Sequence, residues 1–122
     1  MSAPLLFRLT AYLAFALCAA LLIAPGLFSA IFGLDASTGG EVMARRAGVL
    51  FAPIGLIYLQ LGASGNQQVR RALLSAGTLL MIAMALLGLT ELILGRAGPG
   101  ILVAVSVEVI LAALYLKVTR DA

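Results

Sequence analysis

Long apolar runs broken by short polar stretches make up the chain, and their lengths set the elements they can form. The first run extends from about Leu5 or Leu9 to Ala24, with Arg8 at its start and Pro25-Gly26 closing it. Leu27 to Leu34 is too short to cross a bilayer again, since a span takes about 20 residues, and predicts an interfacial turn of helix. Asp35 to Gly40 is a polar loop in which Ser37 or Thr38 can cap a helix, with Glu41 three or four residues on, as in a capping box. A second span follows from Glu41 to Gly62, with Pro53 expected to kink it near mid-depth because proline removes one helical hydrogen bond. The Gly/Ser/Asn loop Gly62 to Gln68 leads through Arg70 and Arg71 to a third span, Ala72 to Leu94. Gly95 to Gly100 forms a tight turn in which Pro99 can start the next helix. The fourth span is Ile101 to about Leu116, with Lys117, Arg120 and Asp121 in water.

The predicted fold is all-α: a single integral membrane domain of four spans, at about 7–24, 42–62, 72–94 and 100–117, with a short interfacial helix after the first. Composition agrees. With 63% hydrophobic and 11% charged residues and a mean hydropathy of +1.16, 122 residues have too little polar surface to cover a soluble globule. Arg8 before an apolar core, with Phe28-Ser29-Ala30 beyond it, also loosely matches a cleaved signal sequence, but the small-x-small pattern fails at Phe28.

Charge then orients the bundle. The net charge of +3 sits at segment ends, as orientation by loop arginines requires, and nothing in it suggests a nucleic-acid footprint. If the N-terminus, the loop after the second span and the C-terminus share a side, that side holds Arg8, Arg70, Arg71, Lys117 and Arg120, against Arg45, Arg46 and Arg96 on the other. Both termini are therefore expected in the cytoplasm. The single cysteine, Cys18, has no partner for a disulfide or redox pair and reads as a packing residue, and the absence of histidine removes the usual haem and zinc ligand. No cofactor or metal is expected. Met81 and Met84 read as packing, and Tyr12, Tyr58 and Tyr115 as interfacial or packing aromatics. No Ser-His-Asp, Cys-His or HExxH set and no phosphate loop is present, so the chain is expected not to be an enzyme.

The second span carries a conflict. Only Ala47 to Leu61 is free of charge, roughly 22 Å of helix against a hydrocarbon core of about 30 Å, so Arg45 and Arg46 fall inside the span. On a helical wheel, Glu41, Ala44, Arg45, Gly48, Ala52 and Gly55 share one face, small enough for another helix to approach closely, while Arg46 points away. In the third span Glu91 shares a face with Gly77, Met81, Met84, Gly88 and Gly95. In the fourth, Glu108 lies between Ala104 and Ala112 with Tyr115 on the same stripe. Arg45 and Glu91 lie about one turn below the outer surface and Glu108 about 12 Å in. The expectation is a buried cluster of Arg45, Glu91 and Glu108, with Glu41 bracing Arg45, and with Arg46 and Arg96 available for lipid headgroups.

With APGLFSAIFGL at the end of the first span, Arg45 to Gly48 followed by Gly55, the Gly95-Arg96 turn, and Glu108 within VEVILAALYL, the chain resembles the DoxX-like and related families of uncharacterised small bacterial four-helix membrane proteins. The resemblance implies a four-helix bundle in the bacterial inner membrane without an established activity. Small multidrug transporters have a similar length but carry a carboxylate in the first span, which here has none. Two function classes stay open. The leading one is a non-enzymatic accessory or assembly subunit of a larger membrane complex, with the cluster chiefly fixing helix packing; the expected partners are the lipid bilayer and either other subunits of a complex or further copies of the chain. The other is a small proton-coupled transporter or lipid carrier that uses Glu108 and Arg45, since a lone mid-membrane carboxylate is a candidate proton-carrying group.

Overall fold

A computed structural model describes all 122 residues and contains five helices: α1 (Ala3–Ile23), α2 (Pro25–Ile31), α3 (Thr38–Leu61), α4 (Gln67–Ile93) and α5 (Ile101–Asp121). Four of them, all but α2, are long and apolar enough to cross a membrane.

Local chemistry sets most of the ends. The Ser2 hydroxyl accepts from the Leu5 N–H to cap α1, and Pro25 closes α1 while opening α2, where its missing N–H costs nothing. Ser37, not Thr38, caps α3 by accepting from the Gly40 N–H at 2.9 Å. The expected capping box does not form, because the third helical position is Gly40 and Glu41 lies one residue too far along to reach back. The third span also starts earlier than the sequence suggests. The Asn66 side chain accepts from the Gln68 and Val69 N–H groups, so Gln67 to Arg71 form the first turns of α4 instead of a loop. At the far end of the chain α5 runs on through Lys117 and Arg120 to Asp121.

Helices α2 and α4 end alike. Gly33 (φ 64°) and Gly95 (φ 73°) take the left-handed conformation that glycine adopts without penalty, and each is followed by the same pair of backbone bonds. Leu34 N–H donates to Ser29 C=O and Gly33 N–H to Ala30 C=O; Arg96 N–H donates to Glu91 C=O and Gly95 N–H to Leu92 C=O. These are Schellman closures, which satisfy carbonyls left over at a helix end.

Packing divides the molecule into two antiparallel hairpins, α1 with α3 and α4 with α5, and only sparse contacts link them. The chain's two central spans supply the flat faces and its two outer spans the side chains that fill them. Gly48 and Gly55 of α3 lie against Leu21 and Phe15 of α1, while Gly77 and Gly88 of α4 lie against Tyr115 and Val105 of α5. Apolar burial gives little drive in lipid, so such close approach is the main source of helix association there.

The hairpins meet at both ends. At the end that holds both termini and the α3–α4 connection, Tyr115 is fully buried and shares a 2.6 Å hydrogen bond with Thr10, and Tyr58 donates to the Leu73 carbonyl at 2.7 Å. Phe7 stands between the two tyrosines, 5.7 and 6.4 Å from their ring centres. Tyr12, by contrast, is 59% exposed. Tyr115→Phe removes one hydroxyl from this knot, while Thr10 keeps its bond to the Leu6 carbonyl. The expected result is a loss of about 1 kcal/mol, measured as a modest drop in the unfolding midpoint in detergent. At the opposite, distal end the two turns touch backbone to backbone, with Gly98 N–H donating to Phe32 C=O at 2.7 Å.

Candidate functional site

Helix α5 buries Val105, Leu111, Ala112, Tyr115 and Val118 along one stripe, and Glu108 sits on that stripe at Val105 plus three. The pairings Gly77 with Tyr115 and Gly88 with Val105 fix the antiparallel register and put Glu108 across from Met84 and Ala85 of α4. It lies about 10 Å along the axis from the distal start of α5 and about 20 Å from its other end. Its Oε2 is covered by the protein and has no hydrogen-bond partner.

The expected cluster of Arg45, Glu91, Glu108 and Glu41 is not assembled. The chain's only ion pair joins Glu91 to Arg96, with Arg96 Nε 2.7 Å from Glu91 Oε2 and Nη2 2.9 Å from Oε1. Chain geometry decides this choice. The Schellman turn that ends α4 folds Arg96 back over Glu91, so the two side chains meet without any help from another helix. A cation there also complements the negative end of the α4 dipole. Donating these hydrogen bonds to the Glu91 carboxylate holds the Arg96 guanidinium above its ordinary, already high pKa. Both groups lie at the distal surface, and such a pair contributes little to stability.

Arg45 is exposed and has no acidic partner, although Gly48, expected on the same face, does lie against α1. It lies at the edge of the packing stripe, not within it, and one residue's rotation carries a long side chain out of the interface. Glu41 is half-buried beside Gly26 at the start of α2, on the opposite side from the groove described below, and makes no ion pair. Arg46 is exposed, as the wheel indicates.

Sequence reasoning missed the Thr10–Tyr115 bond and one further orphan. Arg70 Nε is covered without a partner, but it borders a cavity of about 30 Å³ near Gly62 and Ser64 that has room for a single water. The only sequence signal for the knot was Tyr115 on the packing stripe of α5. Thr10, on the buried side of α1, gave no such signal.

Glu108 is thus the one acidic group that the packing face of a span holds at depth, and no arginine of the chain reaches it. Glu108 itself is half-buried with its Oε2 covered and unpartnered, and covering a carboxylate oxygen without a partner is costly. No family model matches the chain, and no curated protein or solved structure matches it either.

Proposed function

We propose that this multi-pass membrane protein is a small non-enzymatic carrier whose working group is Glu108, binding and releasing a proton as a hydrophobic or lipid-like molecule passes between the two hairpins. The observation that carries the reading is the covered, unpartnered Oε2 of Glu108 on the α4-facing stripe. A fixed structural role would call for a cation beside it, and the arginine expected in that role is elsewhere. The weak coupling of the two hairpins between their end contacts supports the same reading, because a carrier needs two bodies that can shift against each other. The accessory-subunit reading drew on a closed Arg/Glu cluster. With Arg45 unpaired it draws only on exposed apolar helix faces, which lipid covers equally well. We place the protein in a bacterial inner membrane with both termini in the cytoplasm, from the loop-arginine balance and the resemblance to DoxX-like proteins.

Hydrophobic carbodiimides add to protonated carboxyl groups within the bilayer, which gives a direct test. In membranes, labelling is expected at Glu108, declining as pH rises and abolished in Glu108→Gln, with the modified residue identified by peptide mass. Labelling confined to Glu41 or Glu91, or labelling of Glu108 that ignores pH, would sink the proposal.

A further inference from the structure

Arg45 and Arg46 lie about two turns inside α3, and neither meets a carboxylate of the chain. Arg46 borders a shallow, open groove along the exposed face of α3, lined by Met43, Ala47, Val49 and Leu50. Met43 and Leu50 are each 65% exposed, so no other helix covers this face.

Depth says what does cover it. Helix α3 has 24 residues and is about 35 Å long, slightly more than the hydrocarbon core of about 30 Å. Arg46 stands eight residues in from Thr38, which puts its Cα about 10 Å below the distal boundary. Helical side chains tilt toward the N-terminus, which for α3 is the distal surface, so the guanidinium rises toward the phosphate layer as a long cationic chain does when its stem lies in lipid. Val49 and Leu50 lie about one turn deeper, on the side toward the bilayer centre. The groove is therefore cationic at its upper end and apolar below. Two adjacent unpaired positive charges favour a headgroup of net negative charge over a zwitterion, and the planar guanidinium fork matches a phosphate's paired oxygens.

We infer that this face of α3 is a binding site for an anionic phospholipid of the distal leaflet. The phosphate sits on Arg46, Arg45 adds charge beside it, and an acyl chain lies along Ala47, Val49 and Leu50. This site is separate from Glu108 and stands whether or not Glu108 carries a proton.

The test is lipid retention by the full chain, purified in mild detergent, titrated with phosphatidylglycerol or with phosphatidylcholine of the same acyl chains, and weighed intact. The wild type is expected to retain phosphatidylglycerol at least about tenfold more tightly than phosphatidylcholine, as charge-assisted hydrogen bonds to phosphate and a net charge difference imply. Arg46→Gln, at an exposed position that leaves packing intact, is expected to erase that preference, and Arg71→Gln to keep it. Leu50→Trp, which fills the groove and keeps both charges, is expected to weaken retention of both lipids. Equal retention of the two lipids by the wild type, an unchanged preference in Arg46→Gln, or a second copy of the chain on this face in place of lipid would each overturn the inference.

Discussion

Gly77→Ala is expected to be among the most destabilising single-methyl additions available in this chain. A Cβ on Gly77 would run into the ring of Tyr115, touching Cε1, Cζ and the hydroxyl. Many such clashes relax by a small swing of the side chain. This one cannot, because Tyr115 is fully buried, its hydroxyl is bonded to Thr10 and Phe7 packs beside its ring. Either α4 and α5 separate, or the ring moves and the bond that ties the second hairpin to α1 breaks. Overpacking together with a lost buried hydrogen bond predicts a cost of about 2 to 3 kcal/mol, seen as a clear drop in the unfolding midpoint in detergent. Gly39→Ala supplies the contrast. Nothing lies within 4 Å of its added Cβ, and in the first turn of α3 alanine is expected to be neutral or slightly stabilising. A double substitution, Gly77→Ala with Tyr115→Leu, is expected to cost less than the two single changes combined, because the shorter side chain relieves the clash. Equal midpoints for Gly77→Ala and Gly39→Ala would mean that the α4–α5 contact is looser than the close approach of Gly77 and Tyr115 implies.

That contact also marks how far the chain could be read in advance. Span number and the small-residue faces were legible, because hydropathy over about 20 residues and a period of 3.6 are properties of the chain itself. Gly48 and Gly55 were placed on the packing side of α3 and Gly77 and Gly88 on that of α4, and each lies against a neighbouring helix. Helix starts were less legible. Gln67 and Gln68 read as loop by polarity and the span as starting only at Ala72, yet a helix capped by Asn66 can begin in water and enter the membrane later. The polar cluster failed for a different reason. A wheel and a depth scale treat each span as an independent rod, and so they offered Glu91 to Arg45 across a helix interface. The six-residue Schellman turn from Glu91 to Arg96 is a local device, and local partners win because no helix has to be positioned to supply them. Once Glu91 is taken and Arg45 lies at the stripe's edge, Glu108 is left alone.

The isolation of Glu108 leads to an expected result that runs against habit: Glu108→Leu should make the protein more stable while removing its function. Leucine nearly matches glutamate in volume, and it continues the apolar stripe formed by Val105, Leu111 and Ala112. It also removes a covered oxygen that has no hydrogen-bond partner. Relief of one unsatisfied buried polar group is worth about 1 to 3 kcal/mol, so the unfolding midpoint should rise. Glu108→Gln separates the two properties. The amide cannot release a proton at any accessible pH, yet it is as polar as the acid and just as poorly supplied with partners. Its stability should stay near the wild-type value, and with it any proton flux or pH-dependent uptake measured in reconstituted vesicles should vanish, as in Glu108→Leu. A group retained against stability is the pattern expected where function, not folding, holds a residue in place. The opposite ordering, with Glu108→Leu the least stable of the three, would show that the carboxyl group has a structural partner in the membrane, and the carrier reading would lose the observation on which it stands.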